Sequence, residues 1–263
     1  MTGDPLLDRP ATGPDSRLRL LLLAGSGEAR ALASALAGDP RLAVIASLSG
    51  AARARAPLPV PTRSGGFGGR AGFERFLDGE RIGAILDATH PFARRISARS
   101  AAVAAARGLP HLLVLRPEWA PGPGDDWVFV DREEEAAAHI PDGATVFLTT
   151  GRQGMEGFAN LHGRHLIFRQ IGHAEAPFPW PNGEFLVSHP PIGVADEIAL
   201  FRARGVDVLV LRNAGGVENR AKLEAARALG IRVVMLRRPP PPDCTRVETV
   251  ADALDWVDGL VTP

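Results

Sequence analysis

Asp87, Thr89, His90 and Pro91 fall within the stretch "DATHPFA", where the apolar run "GAIL" gives way to polar, proline-stiffened residues. A carboxylate, a hydroxyl and an imidazole at the carboxyl end of a buried strand can hydrogen-bond a ligand, and the imidazole can carry a proton near neutral pH. Pro91 suits the first position of a following helix. From the residues alone, the simpler reading of His90 is a capping or hydrogen-bonded turn residue. A second constellation, "LLLLAGSGEARALASAL", sets Gly25, Ser26 and Gly27 between an apolar run and a helical pattern. Glycines there permit a tight turn, and the N–H groups of the helix start, Glu28 and Ala29 included, face a phosphate. Arg30 stands where the dinucleotide fingerprint has its third glycine, so a glycine-rich turn with no ligand stays open.

The next strand exit, "SLSGAARAR", holds Ser47, Ser49, Gly50, Arg53 and Arg55 but no acid. Sites that prefer NAD commonly place an acid here for the ribose 2′-OH; hydroxyls, amides and guanidinium groups instead suit an extra phosphate, hence NADPH. A solvated basic loop is the alternative. In "RSGGFGGR", Gly65, Gly66 and Gly68 let the chain pass close to a ligand, and Phe67 can pack on a flat ring. A plain flexible loop is the competing reading.

In the second half, "TTGRQGMEGF" offers Thr149, Thr150, Gly151, Arg152 and Gln153 at what reads as a strand–helix turn. "LRNAGG" offers Arg212, Asn213, Gly215 and Gly216, with Lys222 in the helix that follows. Cations and backbone amides on glycine-bearing exits suit an anionic ligand. The bland alternative for each cation is a solvated surface charge, and Arg169, also at a strand end, carries less weight. His162 and His165 in "HGRH" have a spacing compatible with two ligands on a helix, but no further Cys or acid completes a set, so no metal site is expected.

The elements that must position these residues alternate. Strands are expected at Leu18–Leu23, Leu42–Ser47, Ile82–Asp87 and His111–Leu115, with helices at Glu28–Leu36, Phe73–Leu77 and Ala93–Arg107. After the Pro/Gly-rich "RPEWAPGPGDDW" the rhythm restarts with strands at Thr145–Thr149, His165–Arg169, Glu184–Val187, Val208–Arg212 and Arg232–Leu236. Helices are expected from Gly154, over Val194–Arg204 and Lys222–Leu229, and finally over Val250–Val257, packed on either half. "REEEAAAH" reads as a solvated helix face. This βαβ rhythm means an α/β protein with two Rossmann-like domains and parallel sheets covered on both faces. The expected division is a disordered lead-in over 1–16, a nucleotide-binding domain over 17–117, a linker over 118–126, a substrate domain over 127–239, and a C-terminal loop and helix over 240–263.

The chain has 263 residues, 45% hydrophobic and 23% charged, and 30 basic residues balance 30 acidic ones. No global charge draws it to nucleic acid or membrane. The single Cys244 excludes an internal disulfide framework and fits a reducing compartment. No apolar run is long enough to span a bilayer, and the cytoplasm is the expected location.

The ordered segments "GSGEARALA", "SGGFGG", "DATHPFA", "LRPEW", "FLTTGRQ", "LRNAGG" and "KLEAARALGIRVVMLRRP" together resemble the precorrin-6A reductases of cobalamin (vitamin B12) biosynthesis, from Leu20 to about Pro239. The resemblance implies two Rossmann-like domains with an interdomain cleft, NADPH on the first and a carboxylate-fringed tetrapyrrole against the second. It implies reduction of one carbon–carbon double bond of precorrin-6A to give precorrin-6B: a hydride from nicotinamide C4 to one carbon, a proton to its neighbour. Asp87, Ala88, Thr89 and Pro91 then join the cofactor-binding set, His90 becomes the candidate proton donor, and neighbouring pathway enzymes become candidate partners. Two departures stand out. Arg212 replaces the family's usual lysine, and "SHPPIG" replaces an Arg-Gly-Pro-Phe-like turn, which weakens a substrate role for Ser188 or His189. A cobalt-precorrin-6A reductase of the anaerobic route stays open, as does a non-catalytic dinucleotide- or tetrapyrrole-binding protein.

Overall fold

The computed structural model describes residues 16–49, 57–151, 154–170, 176–188, 192–217 and 219–262. The chain divides into two compact units, Met1–Arg116 with Pro240–Pro263, and Pro117–Pro239.

The first unit begins with β1 (Leu18–Ala24), whose leucines Leu20 to Leu23 are all buried. A strand covered on both faces needs an unbroken apolar run, and this one has it. Then come α1 (Gly27–Leu36), β2 (Leu42–Leu48), β3 (Thr62–Ser64), α2 (Gly69–Gly79), β4 (Ala84–Ala88), α3 (Arg94–Arg107) and β5 (His111–Val114). Side chains alternate between two cores: Leu20 and Leu22 meet Leu32 of α1, while Leu21 and Leu23 meet Phe73, Leu77 and Val103 of α2 and α3.

The second unit contains β6 (Trp127–Val130), β7 (Thr145–Leu148), β8 (His165–Gln170), β9 (Gly183–Val187), α4 (Val194–Arg204), β10 (Val208–Arg212), α5 (Ala221–Leu229) and β11 (Arg232–Leu236). Phe147, Phe201, Leu209 and Leu223 centre its main core. The chain then returns to the first unit with β12 (Arg246–Val247) and α6 (Val250–Val261), whose Ala253 and Val257 join the α1 side of the core.

Both sheets are parallel throughout, in the orders β3-β2-β1-β4-β5-β12 and β9-β8-β7-β10-β11-β6. Setting aside the edge strands β12 and β6, the two orders are the same, and each reverses direction at β1/β4 and at β7/β10. In an open α/β sheet such a reversal leaves a crevice at the carboxyl ends of the strands, where ligands bind. In neither sheet does the sixth strand continue the run: β12 arrives from the end of the chain and β6 precedes β7.

Several elements differ from the sequence expectation. The short strands β3, β6 and β12 were not anticipated. The Pro/Gly-rich stretch is packed rather than loose, with Trp119 buried in the second core. The helix expected from Gly154 is a single 3-10 turn, Met155–Phe158. Gly154 has φ 100, and a Cβ on Gly157 would sit 2.6 Å from the Glu133 side chain, so this segment is built for close approach and not for helix propagation. "REEEAAAH" also forms a 3-10 helix, Glu133–His139, with Ala136 buried. Among the described residues, no helix is long and apolar enough to cross a membrane.

Candidate functional site

In the first unit the exits of β1 and β4 touch. A Cβ on Gly25 would lie 3.2 Å from the His90 nitrogen, so glycine is needed here for proximity, not for φ. Ser26 caps α1: its Oγ accepts from Ala29 N at 3.1 Å and donates to Ala88 O at 2.8 Å. With the Ala29 N–H taken, Gly27 and Glu28, the first two helical residues, supply the N–H groups that a phosphate would meet. The Glu28 carboxylate pairs with Arg116 at 2.5 Å, which partly offsets its repulsion of an anion. A dinucleotide fits these residues: a glycine-lined close approach, a capped ten-residue helix and free amide donors at the crevice.

Asp87 does not reach a ligand. It is 0% exposed, and its oxygens accept from Thr89 N at 3.0 Å, Thr89 Oγ1 at 2.7 Å and Ser100 Oγ at 3.3 Å. The alternation of β4 turns it inward, so it holds the turn from behind. Ala88 is likewise buried and contributes its carbonyl. His90 Nδ1 accepts from Phe92 N at 3.2 Å, the turn-capping role that the residues alone suggested. Pro91 is not the first helical residue. Ala93 N donates to His90 O at 2.7 Å, closing a turn over 90–93, and α3 starts at Arg94.

At the β2 exit Ser47 is buried and Ser49 exposed. Arg63 on β3 donates to Ser47 Oγ at 2.8 Å, Gly65 O at 3.0 Å and Gly66 O at 3.1 Å, and its guanidinium lies 4.2 Å from the Phe67 ring centre. Phe67 packs edge-on to Phe73 at 4.8 Å and Phe76 at 5.2 Å. The ring therefore anchors the glycine loop to α2. Gly65 and Gly68 have φ 104 and 72, and a Cβ on Gly72 would fall 1.7 Å from Phe67 O. Arg63 and Gly72, both passed over in the sequence reading, hold this loop. Gly50, Arg53 and Arg55 lie outside the described residues.

In the second unit the exits of β7 and β10 adjoin, with Thr149 N donating to Val210 O at 3.0 Å. The hydroxyls of Thr149 and Thr150, and that of Ser188 beyond β9, are buried with no hydrogen-bond partner among the described residues. Buried hydroxyls without partners are rare in proteins, so three at the carboxyl rim of one sheet mark donors suited to a ligand. Gly151 follows with φ 75. Arg212 is half-buried and its Nη2 lies 3.2 Å from Glu133 Oε1. Arg152, Gln153 and His189 lie outside the described residues.

Asn213 is fully buried, and its amide is committed to protein: Oδ1 accepts from Trp119 N at 2.9 Å and Nδ2 donates to Trp119 O at 3.0 Å. It shapes the exit instead of touching a ligand. Gly215 has φ 66, and a Cβ there would fall 2.0 Å from Pro117 O. Gly216 has φ 83, and its O accepts from Trp119 Nε1 at 2.7 Å. Trp119, in the stretch expected to be a linker, thus braces the β10 exit.

Lys222, in the first turn of α5, is half-buried beside the bidentate pair Arg169–Glu197, whose two contacts are 2.6 and 2.8 Å. Burial pushes its ammonium down to about 8; the Glu197 carboxylate offsets part of that and Arg169 adds to it. It is the only lysine in the chain. Glu197 went unnoticed in the sequence, although an acid in the first turn of α4 facing a strand-end arginine is a readable signal.

The family model described as "Precorrin-6x reductase CbiJ/CobK" matches residues 19–258. A protein of Rhodococcus erythropolis named "Precorrin-6A reductase" is 46% identical over 92% of this chain and 98% of its own length. A protein of the same name from Mycobacterium tuberculosis H37Rv is 43% identical, again over 92% of this chain and 98% of its own. A solved structure titled "CobK precorrin-6A reductase" superposes with a TM-score of 0.85 at 34% identity, covering 92% of this chain and 97% of that one. The chain belongs to the precorrin-6x reductase family, oxidoreductases of cobalamin biosynthesis that act on a CH–CH group.

Proposed function

We propose that this protein uses NADPH to reduce one carbon–carbon double bond in the macrocycle of metal-free precorrin-6A, giving precorrin-6B. The observation that carries this reading is the pairing of unlike exits on like sheets. One sheet offers a capped α-helix start with amide donors, and the other offers buried hydroxyls with no hydrogen-bond partner among the described residues, Arg212 at the end of β10 and Lys222 in the first turn of α5.

When bound, the reduced nicotinamide supplies the hydride. Gly25 lets the cofactor backbone approach, and the Gly27 and Glu28 N–H groups hold a phosphate. Ser47, Ser49, Gly50 and Arg53, at an exit whose sequence carries no acid, are the candidates to bind the extra phosphate. The glycine loop at Gly65, Gly66 and Gly68 closes over it, and Thr89 and Pro91 flank the reacting end. Thr149, Thr150, Gly151, Arg152, Gln153, Arg212, Gly216 and Lys222 receive the substrate carboxylates. His90 accepts from Phe92 N at Nδ1; to give a proton to the macrocycle it acts as the imidazolium, which gives up that contact, and it returns to the neutral ring once the proton has left. The cytoplasm, where NADPH is available, is its place of work, and neighbouring pathway enzymes are its candidate partners.

The test is a spectrophotometric assay with NADPH or NADH and either metal-free or cobalt-containing intermediate. Oxidation of NADPH with metal-free precorrin-6A supports the reading. Equal rates with NADH would remove the cofactor preference, and turnover only of the cobalt form would move the protein to the anaerobic route.

A further inference from the structure

Behind the Thr89–His90 turn runs a buried chain of hydrogen bonds that the proposed chemistry leaves unused. It starts at His111 on β5, passes through Ser100 on α3 to Asp87 on β4, and ends at Thr89. His111 Nε2 lies 3.1 Å from Ser100 Oγ. Ser100 Oγ lies 3.0 Å from Ser97 O and 3.3 Å from Asp87 Oδ2. Asp87 Oδ1 takes both Thr89 N–H and Thr89 Oγ1–H, at 3.0 and 2.7 Å. Thr89 Oγ1 also lies 3.1 Å from Ser97 Oγ. Asp87 and Ser100 are completely buried and Ser97 nearly so.

Counting hydrogens gives the chain a direction. A carboxylate and a carbonyl can only accept. Ser100 has one hydrogen, and it goes to Asp87 and Ser97 O. His111 Nε2 must therefore bring its own. At the other end Thr89 gives its hydroxyl hydrogen to Asp87, so the Ser97 hydroxyl donates to Thr89. What Thr89 has left is a lone pair.

We infer that Asp87, Ser100 and His111 are positioning residues that fix the polarity of Thr89, so that this turn receives an N–H or O–H of the dinucleotide, such as its carboxamide or a ribose hydroxyl, and not a phosphate oxygen. The inference rests on the dinucleotide reading above. It divides the crevice by polarity: donors at the α1 start for phosphate, an acceptor at the β4 exit for the uncharged end.

The device has a pH dependence. His111 Nδ1 is buried with no partner among the described residues, so a second ring proton would have no acceptor. Burial lowers the His111 pKa, and the Asp87 carboxylate offsets part of this. The segment entering β12 brings Cys244, Asp243 and Arg246 close by; burial raises the Cys244 thiol, with Asp87 adding to it, so the thiol stays neutral across the acid range. The neutral histidine supports the relay. As pH falls through the His111 pKa, which burial holds below the ordinary histidine value of ~6.5, charging the ring opposes the relay and dinucleotide binding weakens.

The experiment is a fluorescence titration of NADPH into the full chain from about pH 8 to about pH 5. The proteins are the wild type, Asp87→Asn, His111→Gln, Thr89→Ser and Thr89→Val, with circular dichroism to check folding. Thr89→Ser should bind as the wild type does, and Thr89→Val about tenfold more weakly, as expected for one lost hydrogen bond to a buried group. Asp87→Asn should weaken binding by a similar factor. The wild type should lose affinity on the acid side, whereas His111→Gln, which donates to Ser100 but does not titrate, should bind evenly across the range. If folded Thr89→Val and Asp87→Asn bind NADPH as the wild type does, or if His111→Gln keeps the acid loss, the relay has no such role. If the wild type itself binds no NADPH, the dinucleotide reading falls and takes this inference with it.

Discussion

In the first unit the exit of β1 runs straight into the ten-residue helix α1; in the second the exit of β7 runs into a four-residue 3-10 turn. The two sheets otherwise share one strand order and one reversal point. A full helix start gathers amide donors on a single spot, which suits a compact phosphate. Among the described residues, the second exit spreads its polar groups along the rim: Thr149 and Thr150 after β7, Ser188 after β9, Arg212 at the end of β10 and Lys222 on α5. A rim of separated donors suits a broad ligand whose carboxylates are themselves separated. On the proposed reading, one architecture would serve two ligand shapes through the length of the helical segment that follows β1 and β7.

The sharpest way to break this comparison is at the buried supports. Glu197→Gln leaves Arg169 as an uncompensated charge beneath the second rim, and should cost about 3–5 kcal/mol in denaturant unfolding. A loss below about 1 kcal/mol would mean the pair is solvated. Gly25→Val adds atoms beyond the point where a Cβ already lies 3.2 Å from His90 N. NADPH affinity should drop about tenfold or more, or ~1.4 kcal/mol, while substrate binding to the second unit stays within about twofold. Equal losses for both ligands would show that the exits do not divide the work.

Lys222 sharpens the comparison by pH. Its folded value of about 8 lies below the ordinary lysine value, so the cation is present below that pH and lost above it. The KM for the macrocycle should rise several-fold between about pH 7 and about pH 9, and Lys222→Arg, charged throughout, should flatten the profile. The smallest effect is expected from Thr150→Val. Removing a buried hydroxyl that has no partner among the described residues should leave stability unchanged or raise it by about 1 kcal/mol, while substrate KM rises a few-fold. Lost stability would mean that the hydroxyl serves the fold.

Much of this was legible in the residues. Leu20 to Leu23 announced a doubly covered strand, and the alanine-rich sequence from Glu28 announced a helix, although the cap that Ser26 supplies was passed over. The sixth strands escaped because two or four residues carry no periodicity, and β6 hides at the end of a proline- and glycine-rich stretch. Asp87 was harder. An acid beside Thr-His reads alike whether it faces a ligand or the interior, and only the β4 register, which sets it between Leu23 and Leu113, turns it inward. Ser97 and Ser100, three residues apart on α3, were the available signal for a buried polar partner. Asn213 is ambiguous in the same way: a polar residue at a strand exit reads as facing a ligand, but Trp119 in the preceding stretch takes both ends of its amide.

The order in which the chain leaves the ribosome bears on β12. The open flank of β5 is covered only when Thr245 O and Val247 O accept from Leu113 N and Leu115 N, at 3.0 and 2.8 Å. Those residues, and the α6 side chains that pack against α1, come after the whole second unit in the sequence. A nascent chain halted after Pro239 therefore exposes an unfinished hydrophobic seam in its first unit, a natural point for chaperone capture and for proteolysis of truncated product.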